Sequence, residues 1–99
     1  MNVYAMRLKT GEEVIFRTET DFTKLTESIN QNILIKVEKP VTMMPVENKV
    51  TFIPWIFFAK EDNFTISTQD VVLFYHAQEQ IESEYRRMTS GIITSPSLA

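Results

Sequence analysis

Few side chains in this sequence are of the types that carry out covalent chemistry. There is one histidine, His76, and no cysteine, so a nucleophile–histidine pair would have to be built beside the apolar Phe74 and Tyr75. A histidine at the end of a strand more commonly caps a helix or faces solvent. The adjacent carboxylates Glu12–Glu13 and Glu61–Asp62 lie in predicted turns, where acidic side chains are normally solvated. We therefore predict that the protein is not an enzyme and has no catalytic residues.

Patterns that bind metals or cofactors are also missing from the sequence. No group of histidine, aspartate and glutamate has the spacing of metal ligands, and thiolate sites are excluded because there is no cysteine. Two glycines are too few for a glycine-rich phosphate loop. We predict no metal and no cofactor.

Aromatic residues beside lysines are the remaining candidates, because an aromatic ring next to a cation can stack the bases of a single-stranded nucleic acid. Phe57 and Phe58 with Lys60 form one such set, and Phe22 with Lys24 forms another. For Phe57 and Phe58, packing in the core or in a subunit interface is the favoured alternative. For Phe22 the two interpretations are evenly balanced.

The charge of the chain limits what it can bind as a monomer. The formal net charge is -3, and the lysines and arginines are scattered rather than clustered. This distribution counts against strong nucleic-acid binding by a single subunit. It counts less against a ring, where one face can collect cations from every subunit.

The candidate residues must be positioned by short strands. Residues 3–9 and 12–19 both alternate between apolar and polar side chains, and Thr10–Gly11 between them predicts a β-hairpin. A long strand is predicted from Asn32 to Pro45, interrupted at Pro40 because proline cannot donate to a ladder.

The second half of the chain carries the densest apolar segments. The stretch from Val50 to Ala59 and the predicted last strand, residues 71–76, are both apolar on two faces, which predicts that both faces are covered. A short strand from Phe64 to Ser67 and a tight connection at 68–70 lie between them. We expect self-association to cover the second face of these strands.

One helix is predicted, over about residues 77–89. Ala77, Ile81, Tyr85 and Met88 form an apolar stripe that could cover one face of the sheet. Residues 20–31 fit either a short helix or a loop. Residues 91–99 are expected to form a flexible tail after a single domain of residues 1–90.

The amino terminus lacks the pattern of a signal peptide, and the apolar runs are too short to span a bilayer. We therefore expect a cytoplasmic protein with no membrane association.

Several segments resemble Sm-like proteins. The segment from Met6 to Ile15 resembles the first strand and turn of the first Sm motif, and Asn32–Glu38 resembles its third strand. The segment Phe64–Leu73 resembles the strand, tight turn and strand of the second motif. The combination of Lys39–Pro40–Val41, Ile53–Pro54–Trp55 and a helix with Glu84–Tyr85 is similar to short Sm-like proteins of marine cyanophage type.

This resemblance implies a mainly β fold, namely a small, strongly bent, five-stranded antiparallel Sm-like (SH3-like) barrel, here with a C-terminal helix. It implies a homo-oligomeric ring in which the penultimate strand of one subunit pairs with the last strand of its neighbour. It also implies binding of RNA or single-stranded DNA, in phage nucleic-acid processing within the host cell.

The resemblance places the binding residues in two connections. Carried over by position, these are the loop that ends at residues 30–32 and the turn of residues 67–70. Independently of the resemblance, we add Lys24 and Lys60 as candidate phosphate partners. The candidate nucleic-acid contacts are Asn30, Asn32, Thr68, Gln69, Lys24 and Lys60, and the candidate interface residues are Phe57, Phe58, Val72 and Phe74.

The chain differs from the Sm pattern in three respects. Its clear helix follows the strands instead of preceding them, Thr68–Asp70 stands where Sm-like proteins carry a cationic pair, and the aspartate and aromatic residue of the first binding loop are displaced into a longer segment that contains Asp21–Phe22. The missing cationic pair and the acidic pI of about 5.1 favour the alternative hypothesis, a structural or adaptor homo-oligomer that binds another protein.

Overall fold

A computed structural model describes residues 2–22 and 33–90. They form six antiparallel strands and one C-terminal helix. The elements are β1 (Asn2–Leu8), β2 (Glu13–Thr18), β3 (Leu34–Val46), β4 (Lys49–Pro54), β5 (Asn63–Ser67), β6 (Val71–Tyr75) and α1 (Glu79–Met88), with a single 3-10 turn at Thr68–Asp70 between β5 and β6. The predicted tail, residues 91–99, and most of the segment 20–31 lie outside the described residues.

The sheet is built outward from the β1–β2 hairpin. Ala5 pairs with Ile15 across this hairpin, and Gly11 in its turn has φ +97°, which glycine adopts without steric cost. The strand order is β4-β3-β2-β1-β6, and β5 also pairs with β3. The hairpin, the last strand and the connection at 68–70 were all predicted, and the structure confirms them.

Strand β3 pairs with two strands, β5 and β4, along the same edge. Glu38 pairs with Arg17 of β2 on one side and with Asn63 of β5 on the other. Thr42 likewise lies between β2 and Ile53 of β4. Strands β5 and β4 therefore follow each other along the edge of β3 that faces away from β2.

The bend between these two halves of β3 is at Lys39 and Pro40. Lys39 has φ +50°, an uncommon conformation for a residue with a side chain. The pairing of β2 with β3 shifts register at the same place, between Ile15 and Arg17. The break predicted at Pro40 is thus confirmed as an irregularity within a continuous strand.

The number of strands differs from the prediction of five. The stretch from Val50 to Ala59 is not one strand, because β4 ends at Pro54 and pairing with β3 resumes only at Asn63. Proline has no N–H with which to continue a ladder. The chain between them, residues 55–62, leaves the sheet and is called the excursion below.

The described residues form two hydrophobic clusters, one on each face of the central strands. The inner cluster consists of Tyr4, Met6, Leu8, Val14, Phe16, Phe22, Ile35 and Val37, and the helix-side cluster consists of Val3, Ala5, Ile15, Val41 and Tyr85. Each set alternates along β1 and β2, as the two-residue period of a strand requires. Strands β1 and β2 are therefore buried on both faces.

The segments 50–59 and 71–76, predicted to be covered on both faces, are partly exposed in the single chain, and their cover by a neighbouring subunit stays a prediction. Phe57 is 66% and Phe58 101% exposed, and Val72 on β6 is 55% exposed. The sequence cannot distinguish an apolar strand at the centre of a sheet from one at its edge. In the structure, β1 and β2 are the central strands, and α1 covers their residues on the face opposite the inner cluster.

Helix α1 covers the sheet as its apolar stripe predicts. Tyr85 is fully buried, and Ala77 and Ile81 pack against the helix-side cluster. The helix begins at Glu79, two residues later than predicted, so Ala77 contributes to the cluster from the preceding connection. Met88, the last residue of the stripe, is 37% exposed.

No helix within residues 2–22 and 33–90 is long and apolar enough to cross a membrane.

Candidate functional site

The turn between β5 and β6 is joined to the residue that precedes β3. The Ile33 N–H donates to Thr68 Oγ1 (3.0 Å), and the Thr68 N–H donates to the Ile33 carbonyl oxygen (2.9 Å). Ile33 is the residue after Asn32 in the sequence. The two hydrogen bonds therefore hold the 3-10 turn beside the end of the β2–β3 connection, the two segments in which binding residues were predicted.

The predicted contacts within this turn have different environments. Thr68 is half-buried and acts through its hydroxyl as a structural acceptor. Gln69 is exposed, and its N–H donates to Ser67 Oγ (3.2 Å), which caps the turn. Gln69 thus presents its side chain from a turn whose backbone is fixed.

The other predicted contacts lie elsewhere. Lys24, Asn30 and Asn32 fall outside the described residues. Lys60 is exposed in the excursion. Of the six candidates, the structure therefore brings Thr68 and Gln69 together in one turn and places Lys60 in a different segment.

The β1–β2 turn forms a second wall beside the 3-10 turn. The Lys9 N–H donates to the Asp70 carbonyl oxygen (2.9 Å), and the Gly11 N–H donates to the Leu8 carbonyl oxygen (2.9 Å). Thr10 Oγ1 donates to Glu12 Oε1 (2.9 Å). Two short, internally bonded turns thus meet at the edge of the sheet.

A cleft of about 460 Å³ opens between these turns, and we call it the Trp55 cleft. It is lined by Leu8, Lys9, Thr10, Glu12, Trp55, Ile66, Ser67 and Asp70. One cation and two carboxylates line it, so the cleft is not an anion site. Sequence analysis singled out the segment around Trp55 for its apolar density, but gave no signal that the turns of residues 9–12 and 68–70 lie beside it.

The excursion is attached to the bend of β3 at both of its ends. The Trp55 N–H donates to the Pro40 carbonyl oxygen (3.3 Å), and the Lys39 N–H donates to the Asp62 carbonyl oxygen (2.6 Å). Lys39 Nζ also lies 3.0 Å from Asp62 Oδ2. The hydrogen bond and positive charge of this ammonium hold the pKa of the Asp62 carboxyl below its usual value.

Phe57 and Phe58 are presented by this attached segment. Their ring centroids are 6.4 Å apart, and Phe58 is completely exposed. Exposed phenylalanines on a fixed segment are typical of a contact surface rather than of a core. They were predicted to lie at a subunit interface, and that assignment stays a prediction.

The other two predicted interface residues lie on β6 and differ from each other. Val72 is 55% exposed, and its neighbour Leu73 is 46% exposed. Phe74 instead packs inward, stacked on Phe22 with ring centroids 4.1 Å apart and planes 13° apart. Phe22 is 8% exposed, so the interpretation of Phe22 as a base-stacking residue is wrong, because its ring is enclosed by the inner cluster.

Tyr75 forms a polar contact that sequence analysis missed. Its hydroxyl donates to Glu13 Oε1 (2.5 Å), and Glu13 Oε2 lies 3.7 Å from Arg7 Nη1. Burial, and then the neighbouring Glu13 carboxylate, raise the pKa of Tyr75. Glu13 on β2 and Tyr75 on β6 are far apart in sequence, and because β1 lies between these two strands, only the strand order could have suggested the contact.

His76 is exposed, and its ring centroid lies 4.9 Å from that of Tyr4. Within residues 2–22 and 33–90, no three acidic or histidine side chains are grouped to hold a metal ion.

Neither the protein-family models nor the curated proteins include a match to this chain.

Proposed function

We propose that the protein is an Sm-like subunit that assembles with copies of itself into a ring, and that the ring binds single-stranded RNA or DNA in phage nucleic-acid processing. The observation that carries the proposal is the pair of hydrogen bonds between Thr68 and Ile33. These bonds hold together the two connections that the Sm resemblance assigns to nucleic-acid contact.

The strand order supports the self-assembly part of the proposal. Strand β6 ends the sheet on one side, and β4 and β5 end it on the other. Among the described strands, neither outer edge has a partner. Unpaired edges are sites of association, and closure into a ring removes them.

Exposed apolar side chains lie on β6 and beside the β4 edge. Val72 and Leu73 are exposed on β6, and Ile56, Phe57 and Phe58 are exposed on the excursion next to β4. A domain of this size buries only about two thirds of its unfolded surface, so association adds apolar burial that the single chain lacks. Pairing β6 with the β4–β5 edge of a neighbouring subunit would cover both groups.

The nucleic-acid part of the proposal depends on the assembled state. Gln69 and Thr68 supply polar groups from the 3-10 turn, while Asn30, Asn32 and the cations Lys24 and Lys60 remain candidate contacts carried over from the sequence. A chain of net charge -3 offers little attraction to phosphate alone. We expect weak, salt-sensitive binding that needs several subunits to present their turns to one strand.

Two measurements test the proposal. Size-exclusion chromatography with light scattering should give a closed oligomer, and a clean monomer would refute the ring. Fluorescence anisotropy with labelled oligo-U, oligo-A and single-stranded DNA at low salt should show binding that weakens in Gln69→Ala and in Lys60→Gln. Lys49→Gln removes the same charge at the β3–β4 turn. Because Lys49 begins the edge strand β4, light scattering must first show that this variant keeps the oligomeric state, and it should then bind as the unmodified protein does.

One observation favours the second candidate function, an adaptor that binds another protein. The excursion exposes Phe57 and Phe58, and its exposed charges, Lys60 and Glu61 together with the Lys39–Asp62 ion pair, balance, so the surface around the rings carries little net charge. Such a surface suits a protein partner better than a phosphate backbone. A partner retained after nuclease treatment and lost in Phe58→Ser would favour the adaptor over the nucleic-acid ring.

A further inference from the structure

Trp55, the only tryptophan of the chain, lines three neighbouring clefts of the surface. Part of the side chain packs against the inner cluster, and the residue as a whole is half-buried. Its N–H is bonded to the Pro40 carbonyl oxygen (3.3 Å). The indole is therefore held by the protein while remaining accessible from the Trp55 cleft, as a stacking platform must be.

The walls of the Trp55 cleft supply the polar groups that would surround a planar ligand. Thr10 and Ser67 contribute hydroxyls: Thr10 Oγ1 already donates to Glu12 and can still accept, and Ser67 Oγ already accepts from the Gln69 N–H and can still donate. Asp70 contributes a carboxylate, which only accepts. Lys9 contributes the one cation. At about 460 Å³, the cleft falls within the range of small-molecule sites.

The geometry of these walls is set by backbone hydrogen bonds. The Lys9 N–H is bonded to the Asp70 carbonyl oxygen (2.9 Å), and the Gln69 N–H is bonded to Ser67 Oγ (3.2 Å). Residues from both turns are thus held around Trp55 before any ligand arrives. A site whose walls are already in place loses little conformational entropy on binding.

The charges indicate which part of a nucleic acid would enter the cleft. Asp70 and Glu12 would repel a phosphate, whereas their oxygens accept hydrogen bonds from the amino groups of bases. Adenine, cytosine and guanine carry exocyclic amino groups, but uracil and thymine do not. The cleft therefore suits a base with an amino group, with the phosphate left outside near Lys9.

We propose that the Trp55 cleft binds one nucleobase of a single-stranded nucleic acid. The base stacks on Trp55, and its amino group donates to the Asp70 carboxylate. The adjacent phosphate lies near the Lys9 ammonium. This inference rests on the proposed function, and it adds Trp55, Asp70 and Lys9 to the contacts that the Sm resemblance assigns.

Because Trp55 is the only tryptophan, the tryptophan fluorescence reports on the surroundings of this one residue, and the Asp70 variant below distinguishes the Trp55 cleft from the two others that Trp55 lines. The full-length protein is titrated with oligo-dC, oligo-dA and oligo-dT, and emission is corrected for nucleotide absorbance with free tryptophan. Anisotropy of the same labelled oligonucleotides measures total binding in parallel. We expect quenching that follows the anisotropy curve, with oligo-dC and oligo-dA binding roughly tenfold more tightly than oligo-dT, as one good base-specific contact provides.

Two variants separate the roles of the side chains. Asp70→Asn should remove most of the preference for oligo-dC over oligo-dT, and Lys9→Gln should weaken all oligonucleotides alike. Lys49→Gln, once light scattering shows that it keeps the oligomeric state, serves as the matched control for charge and should change neither the base preference nor the affinity. Asp70 bonds to Lys9 through its backbone carbonyl, so the side-chain substitution leaves that bond in place.

The possible outcomes distinguish this proposal from the one on which it rests. Anisotropy could detect oligonucleotide binding while Trp55 emission does not change and Asp70→Asn keeps the base preference. This result would refute base binding in the Trp55 cleft but would leave the proposed function standing. Absence of oligonucleotide binding would overturn the proposed function. In that case, titration with cytidine tests the cleft on its own. Quenching of Trp55 fluorescence that Asp70→Asn abolishes would support base binding there, and the absence of quenching would reject it.

Discussion

The hydroxyl of Tyr85 donates a hydrogen bond of 2.6 Å to the backbone carbonyl oxygen of Lys39, the residue at which β3 bends. This bond links α1 to the bend, and the Lys39 N–H in turn links the bend to Asp62 in the excursion. The Arg17 guanidinium lies 5.7 Å from the Tyr85 ring centroid and donates to Thr89 Oγ1 (2.7 Å), which holds the end of the helix in place. Lys39 is therefore bonded both to α1 and to the excursion, and it fixes the position of each relative to β3.

Replacing Tyr85 tests this link between the helix and the bend. Tyr85→Phe removes the donor to a part-buried carbonyl oxygen and should lower the free energy of unfolding by about 1–2 kcal/mol. Tyr85→Ala also empties a fully buried site and should cost about 3–5 kcal/mol. Urea denaturation followed by circular dichroism measures both, with the exposed Met88→Ala as a control expected to cost much less. Equal stability of Tyr85→Phe and the unmodified protein would show that the hydrogen bond contributes nothing.

The Lys39–Asp62 ion pair should make stability depend on pH at the acidic end. The pKa of Asp62 is lowered in the folded protein, so the pair stabilises the fold above the carboxyl's unfolded pKa of 3.8. This contribution is lost as the pH falls through the lower, folded pKa. Both groups are largely exposed, so solvent screening limits the effect to less than about 1 kcal/mol.

The melting temperatures of Asp62→Asn and the unmodified protein, measured from neutral to acidic pH, test this linkage. Asp62→Asn should melt at a lower temperature near neutral pH, and the difference should shrink below the unfolded pKa. Glu61→Asn changes the neighbouring exposed carboxylate and serves as the control. A difference that persists unchanged in acid would assign the effect to something other than the charge of Asp62.

Local patterns were sufficient to predict the hairpin and the helix. The alternation along β1 and β2 with Gly11 between them, and the stripe that includes Ile81 and Tyr85, are each contained within one or two elements. Pro40 marked an irregular position correctly. The positive φ of Lys39 and the departure of the chain after Pro54 left no comparable signal, because Phe57 and Phe58 continue the apolar pattern of a strand.

The candidate site was predictable only in part, because its contacts join distant segments. The turn at Thr68–Asp70 was located from sequence, but its bonds to Ile33 connect residues 35 apart. The Trp55 cleft depends in the same way on three segments that meet only after β1, β5 and β6 are in place. Residue types alone do not specify such contacts, and the edge position of β6 could not be inferred from its apolar composition.

The hydroxyl of Thr68 should control how firmly the 3-10 turn is held. Thr68→Val keeps the shape of the side chain but leaves the Ile33 N–H without its acceptor, at a cost of about 1–3 kcal/mol. Thr68→Ser retains the oxygen and should lose much less. Hydrogen exchange followed by NMR should show faster exchange of the Ile33 amide in Thr68→Val, with the amides of β1 and β2 little changed. Unchanged protection of Ile33 would mean that the turn is held by other contacts.

The exposed ring of Phe58 should matter for association and not for the fold of the single chain. Phe58→Ser removes apolar surface from a fully exposed position, so circular dichroism should show the same secondary structure as in the unmodified protein. If Phe57 and Phe58 lie between subunits, the Phe58→Ser oligomer should dissociate at a protein concentration roughly tenfold or more above that at which the unmodified oligomer dissociates, as expected for the loss of a well-packed aromatic contact. Light scattering across a dilution series measures this concentration.

Leu34→Ser is the matched control for Phe58→Ser. It alters another exposed apolar side chain, 74% exposed, at the far end of β3 from the β3–β4 turn. Val72→Asp places a charge on β6 and should act in the same direction as Phe58→Ser, because the proposed ring brings these two surfaces of neighbouring subunits together. Dissociation by Val72→Asp but not by Phe58→Ser would keep the strand-edge contact and assign the two phenylalanines to a different partner.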